Sequence, residues 1–453
     1  MYGIDRPKCV VGLGYGDEGK GMTTAFLAQQ AQAGYGRSVV VRYNGGPQAA
    51  HNVRVTTPDG KVLHHTFSQL GAGTLTGAAT ILSEHTLLQP YALAKETTAL
   101  IAQTGRNPLP LLSVDPKTPL LLPVHAQCNR MLESQRAKIG RRHGSTGMGV
   151  GVARDYELAM RQADSMDAVP TAFDLARPFL LADKMRAQAD WLGKRWGMDF
   201  HYTKEQAEDQ ATELHLMYGD FTAGGAEFIP AWEALEDYRW TPGAVVFEGS
   251  QGMLLDLRYG FFPHVTYGWM DAGNAKELSK RASLAEPLVV GCTRTYSTRH
   301  GNGPFPPEGT CDVDETDNGT GVWQGAFRTG LLDLPMLEYG AGLAKPDVLS
   351  VSCEDLYPGK AITGWTSVDG GPVRPGDYAL AADDGIRRRD DDASFDPESV
   401  YAPLLEAKPV IEEMGLDAVL EAISKTAGVP IAVDGAGAVL SDWTERPVAE
   451  TAD

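Results

Sequence analysis

The sequence lacks long apolar runs, closely spaced cysteines and an excess of positive charge. Although hydrophobic residues make up 43% of the 453 residues, no window approaches the unbroken apolar length that crosses a bilayer. The five cysteines are scattered, without the paired spacings of a zinc site or the density of a disulfide framework. A formal net charge of −19 opposes attraction to nucleic acid or anionic lipid. We therefore expect a protein of the reducing cytoplasm with no nucleic-acid or membrane partner.

An export signal is also missing from the first residues. Residues 1–8 contain charges and a proline, but not a cationic start followed by an apolar stretch and a small-residue cleavage site. The chain is longer than the size at which one hydrophobic core usually stops growing. Either one large elaborated domain or several smaller ones fits that length.

The chain opens with a strand, a loop and a helix. Residues 9–14, Cys-Val-Val-Gly-Leu-Gly, are a short apolar run that ends in glycines, and residues 21–31 have a helix-forming composition. Residues 38–43 are a second β-branched run, and a β-loop-α-β order builds parallel sheets. Further buried-strand candidates recur at residues 244–247, 287–291, 347–352 and 429–433. We predict one α/β domain over residues 1–453, with a large, mostly parallel central sheet flanked by helices and with β-ribbon excursions.

Residues 153–240 differ from the rest of the chain. They are rich in Ala, Leu, Met, Glu, Gln and Arg with helical spacing, so we predict a helical subdomain there. Residues 312–321 and 385–394 are polar and charged enough to be loops. We expect residues 444–453 to form a flexible tail.

A glycine-rich loop, Gly14-Tyr-Gly-Asp-Glu-Gly-Lys-Gly21, follows the first predicted strand. Glycines let the backbone approach phosphate oxygens, the helix start offers amide donors, and Lys20 adds a positive charge. Without the spacing of the common P-loop, these features fit a phosphate cradle and an ordinary tight turn equally well. Asp17 favours the cradle, because a carboxylate beside phosphates must bind magnesium or exchange a proton with substrate.

A histidine follows the next strand at the same expected edge of the sheet. His51 ends the run that starts with Asn44-Gly-Gly, and the carboxyl ends of parallel strands share one edge. Alone, a histidine is more often a packed or surface residue. Its expected position beside the cradle favours a functional role.

Five motifs in order give a resemblance to a known family. They are Gly16-Asp-Glu-Gly-Lys-Gly21, Asn44-Gly-Gly followed by His51, Ser145-Thr-Gly-Met-Gly-Val-Gly151, Glu248-Gly-Ser-Gln-Gly252 with Asp256, and Thr298-Arg-His-Gly-Asn-Gly-Pro-Phe-Pro306. From about residue 8 to 360, and more faintly to 440, the chain resembles the adenylosuccinate synthetases. The resemblance implies a single α/β domain, usually a homodimer, that consumes GTP to couple L-aspartate to inosine monophosphate in purine biosynthesis.

The resemblance also implies roles for individual residues. Asp17 would take the N1 proton of a 6-oxopurine, so that O6 attacks the γ-phosphate of the donor, and His51 and Gln251 would stabilise the charge that develops. The amino group of aspartate would then displace phosphate at C6. Magnesium would be held by Asp17 and the carbonyl of Ala50. The donor nucleotide would contact Gly16, Glu18, Gly19, Lys20, Gly21, Ala50, Asn52, Cys353 and Asp355, and the acceptor nucleotide Gln48, Thr146, Gln251 and Thr266.

The sequence departs from the family at positions that recognise substrates. A lysine and two arginines of the family are replaced by Glu157, Met160 and Asp164, although Arg161 or Arg154 offers a substitute cation. Gln48, Ala50 and Met148 replace an asparagine, a glycine and an arginine, and Cys353 replaces the guanine-reading lysine. Of the amino-acid loop, residues 322–330, only Arg328 matches. Bidentate arginine is what grips carboxylates and phosphates, so these changes concern aspartate as well as the nucleotide.

The catalytic residues match the family whereas the substrate-recognition residues differ, so we consider three alternative functions. The first is a paralogue that takes another nucleotide such as dGMP, another amine or ATP as donor, in specialised or viral nucleotide metabolism. The second is a nucleotide-binding regulatory protein without turnover, although mere binding does not need both Asp17 and His51. The third, an NAD-binding oxidoreductase, lacks the glycine spacing and has Asn44 where an acidic residue is needed.

Overall fold

The protein is described here from a computed structural model, which covers residues 5–140, 142–315, 318–379 and 396–448. The strands are β1 (Lys8–Gly12), β2 (Val39–Arg42), β3 (His51–Thr56), β4 (Val62–Phe67), β5 (Ala79–Leu82), β6 (Leu112–Val114), β7 (Glu227–Phe228), β8 (Val245–Gly252), β9 (Leu288–Arg294), β10 (Tyr296–His300), β11 (Phe327–Asp333), β12 (Val348–Ser352), β13 (Lys360–Thr366), β14 (Lys408–Glu413), β15 (Ile431–Gly435) and β16 (Trp443–Glu445).

The α-helices of the described residues connect these strands. They are α1 (Lys20–Tyr35), α2 (Pro90–Thr104), α3 (Pro123–Lys138), α4 (Val150–Gln162), α5 (Pro178–Trp196), α6 (Lys204–Ala223), α7 (Ala231–Glu236), α8 (Gly273–Arg281), α9 (Leu334–Ala344), α10 (Pro397–Glu406) and α11 (Leu416–Ala427). None of them is both long and apolar enough to span a bilayer.

The central sheet runs in the order β16-β15-β12-β9-β1-β8-β2-β5-β6-β7. All neighbours are parallel except β15 and β16. The predicted fold class is therefore confirmed, and each predicted strand occurs within two residues of its expected start. β8 runs to Gly252 rather than ending at residue 247, because its pairing with the neighbouring β1 continues to Gly252.

Apolar side chains cover both faces of the sheet, as expected for parallel strands. On one face, Val11 and Val41 belong to a core that includes Leu337 of α9 and Ile423 of α11. On the other face, Val10 packs against α1. β1 is therefore buried completely. Because β1 is the fifth of the ten strands, its carboxyl end, where the glycine-rich loop begins, lies at the middle of the sheet edge.

The predicted helical region contains α4 to α7, and its helices begin at residues that favour the start of a helix. In α6, for example, Thr203 and Gln206 exchange the two hydrogen bonds of a capping box. The helices begin at Val150, slightly before the predicted boundary. The region also contributes the short strand β7, which pairs with β6 at the edge of the central sheet.

Two smaller sheets form the predicted ribbon excursions. β3 and β4 make an antiparallel ribbon, and β10, β11, β13 and β14 make a four-stranded sheet. Residues 312–315 and 318–320 have no regular structure, in agreement with the predicted loop. Residues 385–394, the second predicted loop, lie outside the described residues.

The expected flexible tail is partly ordered. Thr444 and Glu445 belong to β16 and pair with Asp434 and Val433 of β15. An open sheet edge provides the backbone partners for these two residues. Residues 449–453 lie outside the described part of the chain. All five cysteines lie inside it, and each is a free thiol.

Candidate active site

The glycine-rich loop turns sharply from β1 into α1. Asp17 has a left-handed backbone with φ 58°, and Gly19, the residue before α1, has φ 80°. No side chain caps α1, which leaves the amide groups of its first turn available to an anion. The predicted phosphate cradle therefore has the local geometry that phosphate binding needs.

The Glu18 carboxylate lies inside this loop. One of its oxygens accepts hydrogen bonds from the amides of Gly14 (3.0 Å) and Gly16 (2.7 Å), and the other lies 2.5 Å from Nζ of Lys20. Glu18 and Lys20 are both nearly fully buried. Glu18 thus holds the loop together and pairs with one N–H of Lys20, whose ammonium group has two further N–H donors.

His51 reaches the start of α1 from β3. A Cβ on Gly21 would lie 2.7 Å from Cβ of His51, so the helix can approach the histidine only where it carries a glycine. The Nδ1 atom of His51 lies 2.5 Å from Oε1 of Glu248 on β8, and Nε2 is buried without a hydrogen-bond partner within the described part of the chain. One ring nitrogen is therefore anchored by Glu248.

Glu248, to which the sequence analysis assigned no role, fixes this histidine. It is fully buried, and its second oxygen accepts a hydrogen bond from the Ala72 amide (3.1 Å) and lies 4.0 Å from Nε of Arg42. Burial acts to raise the pKa of Glu248, but His51 and Arg42 outweigh it and lower this pKa below its ordinary value. An ionised carboxylate only accepts, so Nδ1 of His51 carries the proton in this bond. The available signal was a charged residue directly after the apolar run Val245-Val-Phe of β8.

The expected acceptor residues share one cleft. It encloses about 1060 Å³ including its open mouth, a size comparable with small-molecule sites. All four residues expected at the acceptor nucleotide line it, namely Gln48, Thr146, Gln251 and Thr266. A Cβ on Gly16 would lie 3.1 Å from Oε1 of Gln251, so the cleft adjoins the loop that carries Asp17. Thus the structure brings the cradle, His51, Gln251 and the acceptor residues to one edge of the sheet.

Several polar residues of this cleft were not found from the sequence. They are Arg136, His143, His264, Arg299 and His300. Burial lowers the pKa of His143 to about 2 and that of His264 to about 4, so both are neutral at neutral pH. Arg136 lies in α3, Arg299 and His300 lie in β10, and His143 and His264 lie outside helices and strands, so only the folding of four separate segments brings the five together.

The proposed substitute arginines do not line the cleft. Arg154 bonds to Glu157 and donates to the carbonyl groups of Gly45 (3.3 Å) and His85 (2.6 Å). Arg161 donates to the same Glu157 carboxylate at 3.2 Å. Burial acts to raise the pKa of Glu157, but the two arginines outweigh it and lower this pKa. The residue that replaced a basic position therefore holds both candidate cations away from the acceptor.

Arg328, expected to bind the amino acid, is also held by the protein. Its guanidinium donates to Glu308 (2.9 Å) and to the carbonyl groups of Gly301 (2.6 Å) and Gly303 (3.0 Å). It is not among the residues that line the acceptor cleft. In this conformation Arg328 holds the loop after β10 in place. Both terminal nitrogens of its guanidinium are bonded to protein groups and do not form a bidentate pair with a substrate carboxylate.

The expected donor residues lie at the carboxyl end of β12, next to the cradle. A Cβ on Gly19 would lie 2.6 Å from Oγ of Ser352, the residue before Cys353. Burial acts to lower the pKa of Arg294, but Cys353, Glu315 and Asp17 are among the neighbours that outweigh it and raise this pKa. Arg294 is thus a cation near both Asp17 and the donor end, and sequence reasoning missed it.

Of the three other donor residues, Asp355 also lies at the end of β12, whereas Asn52 and Ala50 lie at β3. Burial raises the pKa of Asp355, which is in the turn Glu354–Leu356. The side-chain oxygen of Asn52 accepts hydrogen bonds from Thr66 (2.6 Å) and His64 (3.1 Å), so it is used within the β3–β4 ribbon. Ala50 is exposed directly before β3.

The residues expected to hold magnesium are one carboxylate, that of Asp17, and one backbone carbonyl, that of Ala50. Among the described residues, no cluster of three or more His, Cys, Asp or Glu side chains is suited to a metal. Asp17 is a half-buried carboxylate beside the cradle. Magnesium is usually held by one or two carboxylates together with substrate phosphates, so a single Asp17 carboxylate with a backbone carbonyl is a suitable donor set.

Comparisons with known proteins identify the family to which this chain belongs. The family model described as adenylosuccinate synthetase matches residues 9–361. The adenylosuccinate synthetases of Pseudomonas paraeruginosa and Pseudomonas aeruginosa are each 33% identical over 307 residues, which are 67% of this chain and 65% of theirs. The chain thus matches slightly less than two thirds of the length of these relatives.

Two solved structures share the fold. The fully ligated adenylosuccinate synthetase of Plasmodium falciparum has a TM-score of 0.74 at 19% identity, over 98% of this chain and 100% of that one. The succinoaminodeoxyadenylate synthetase of cyanophage S-2L, bound to dGMP and to dATP as an energy donor, has a TM-score of 0.56 at 16% identity, over 98% and 96%. With the family match over most of the chain, these findings show that the chain belongs to the adenylosuccinate synthetase family.

Proposed function

We propose that this protein is a carbon–nitrogen ligase that couples an amine, L-aspartate or another, to C6 of a purine nucleoside monophosphate, with GTP or ATP as phosphate donor. One observation supports this most directly. The loop that carries Asp17 adjoins His51 at Gly21 and Gln251 at Gly16, between a cleft for one nucleotide and a donor end at β12.

The first chemical step uses the residues of the cradle. Asp17 takes the proton from N1 of the 6-oxopurine, and O6 then attacks the γ-phosphorus of the donor, whose bond to the β-phosphate oxygen breaks. The free Nε2 of His51, held in place through Glu248, stabilises the charge on the moving phosphoryl group. Gln251 supports O6 from the cleft side. When bound at Asp17 and the Ala50 carbonyl, magnesium would neutralise part of the charge on the donor phosphates.

The second step forms the new bond at C6. The amine attacks C6 of the 6-phosphoryl intermediate, and inorganic phosphate leaves with the former O6. Because Arg328 is held by Glu308 and two carbonyl groups, the identity of the amine is the most open part of the proposal. The proposal also includes a cytoplasmic homodimer, as the family resemblance implies.

Release of inorganic phosphate tests the proposal. GTP and ATP are each combined with a panel of nucleoside monophosphates and amines, and we expect one combination to stimulate release. Asp17→Asn and His51→Ala should remove the stimulation while nucleotide binding persists. If no combination stimulates the wild-type protein and nucleotides still bind, a regulatory nucleotide-binding protein becomes the better description.

A further inference from the structure

Apart from its histidines, the charged side chains that line the acceptor cleft are two arginines and two carboxylates. They are Arg136, Arg299, Glu133 and Asp155. Because these four charges cancel, the cleft has no positive excess that could offset the charge of an anionic ligand. Each anionic group of a substrate therefore needs a guanidinium of its own. The partners of the two arginines decide how many such groups the cleft can hold.

Arg299 is fully engaged by the protein. It is almost completely buried, and its guanidinium donates to the carbonyl groups of Asn302 (3.2 Å), Pro304 (2.9 Å) and His264 (3.0 Å). All three of its nitrogens take part in these bonds. Arg299 therefore holds loops in place and does not pair with a substrate anion.

Arg136 is held less firmly and lies towards the phosphate end of the cleft. Its Nη1 atom is 3.6 Å from Glu133, which is beyond hydrogen-bond distance. The same carboxylate accepts a hydrogen bond from the amide of Gly144 (3.1 Å), directly before the loop of Thr146. Since Thr146 is expected at the 5′-phosphate of the acceptor, Arg136 is the cation for that phosphate. No second lining arginine is left for the amine.

The loop expected to bind the amine begins with a tight hairpin. Gly321 and Gly325 exchange two backbone hydrogen bonds of 2.8 and 2.9 Å, and Trp323 lies between them. A Cβ on Gly147 would be 2.7 Å from Cγ of Trp323, so the hairpin packs against the Thr146 loop. This contact places the hairpin at the border of the acceptor cleft.

Gln324 is the residue of this hairpin that lines the acceptor cleft. No hydrogen bond joins its side-chain amide to another described residue, and the amide is not among the polar groups closed off from solvent. A carboxamide can donate and accept hydrogen bonds but carries no net charge, so it suits a neutral partner. Arg328, the cation of the same loop, is engaged by Glu308 and two carbonyl groups.

We propose that the amine substrate has an uncharged side group, an amide or a hydroxyl in place of the second carboxylate of aspartate, and that Gln324 contacts this group. This inference rests on the proposed function and deepens it by naming the class of amine. Its physical basis is that a second carboxylate in this cleft would have no guanidinium partner, and an unpaired charge is costly to bury.

Phosphate release with matched amines tests the inference. The panel contains pairs that differ in one charge, L-aspartate with L-asparagine and L-glutamate with L-glutamine, together with L-serine, glycine and L-lysine, and kcat/KM is measured for each. Gln324→Arg adds a cation to the cleft, and Gln324→Glu adds an anion. Gln29→Arg, at an exposed position of α1, is the matched control. Thermal unfolding shows which variants are folded.

We expect the wild type and Gln29→Arg to use L-asparagine better than L-aspartate by roughly tenfold or more in kcat/KM. Gln324→Arg should shift this ratio towards L-aspartate by at least about tenfold, and Gln324→Glu should shift it the other way. A best amine with a charged side group, no preference for L-asparagine over L-aspartate, or an unchanged ratio in folded Gln324→Arg would overturn this inference alone. If no amine stimulates phosphate release, the proposed function is wrong and the inference falls with it.

Discussion

The imidazole of His51 is held by Glu248 at 2.5 Å, although the two residues are 197 positions apart in the chain. The carboxylate is itself held by the Ala72 amide and approached by Arg42. This arrangement makes Glu248 a positioning residue that sets which nitrogen of His51 carries the proton. A substitution of Glu248 can separate its effect on the His51 proton from a merely structural role.

Replacing Glu248 by glutamine should lower turnover more than substrate binding. The amide keeps the shape but no longer requires Nδ1 of His51 to carry the proton, so we expect kcat to fall by roughly tenfold to a hundredfold with KM changed less than about threefold. Steady-state phosphate release measures both constants. A KM increase equal to the loss in kcat/KM, with kcat intact, would contradict the positioning role.

The contact between Gly21 and His51 predicts a sharp difference between two glycines of α1. Gly21→Ala would place a Cβ 2.7 Å from His51, whereas Gly34→Ala meets nothing within 4 Å. We expect Gly21→Ala to reduce turnover by at least about tenfold, because a small displacement of a catalytic group is costly. Gly34→Ala should keep activity and gain roughly 0.5–1 kcal/mol of stability from helix propensity. Equal effects of the two substitutions would show that the close approach does not matter.

Arg136 and Arg161 should differ in their effect on the acceptor. Arg136 lines the cleft, with its Glu133 partner at 3.6 Å, whereas Arg161 is engaged by Glu157 outside it. We expect Arg136→Gln to raise the KM of a phosphorylated acceptor by about tenfold and Arg161→Gln by less than about twofold. The same assay with each variant decides the question. A larger effect at Arg161 would mean that Glu157 releases this arginine when the nucleotide binds.

Asp333 should make stability depend on pH near neutrality. It is fully buried at the start of α9 and accepts hydrogen bonds from the Met336 amide and Trp365 Nε1, both at 3.0 Å. Burial outweighs these bonds and raises the pKa of Asp333 to about 6. The folded state therefore holds the proton more tightly than the unfolded chain, whose aspartate pKa is about 3.9, so this group lowers stability as pH rises from about 4 to 6.

Asp333→Asn removes that titration. The two hydrogen bonds use different carboxylate oxygens, so the asparagine keeps an acceptor for only one of them, and that loss is the same at every pH. Relative to this variant, the wild type should gain on the order of 1–3 kcal/mol in free energy of unfolding when pH falls from 7 to 4.5. Urea unfolding at the two pH values measures the difference. Asp190→Asn, at an exposed position of α5, serves as the control. Parallel pH dependences for wild type and Asp333→Asn would contradict the prediction.

Much of the fold could be predicted because its signals are local. The apolar runs at β1, β2, β8, β9 and β12 and the helical composition of residues 153–240 each specify their own element. The order of the strands in the sheet had no such local signal. The pairing of Trp443 with Gly435 had no local signal either, since it depends on an edge formed by β15.

Within the site, residue types next to glycines were predictable and side-chain partners were not. Asp17, His51 and Gln251 stand in recognisable motifs, and the structure brings their segments together. The capture of Lys20 by Glu18, of Arg161 by Glu157 and of Arg328 by Glu308 had no counterpart in the sequence analysis. A lysine or arginine recognised in the sequence is therefore not always available to a substrate, because a neighbouring carboxylate can form an ion pair with it.

The indole of Trp443 belongs to β16 at the edge of the sheet, yet it lies close to Gly19, where the cradle passes into α1. Its ring would be 3.4 Å from a Cβ on Gly19, and it also packs over Gly435. The family match ends at residue 361, so the wall on this side of the donor end comes from a part of the chain that the shared family pattern does not describe. Residues of this chain after position 361 therefore add to the wall beside Gly19, next to the proposed donor end.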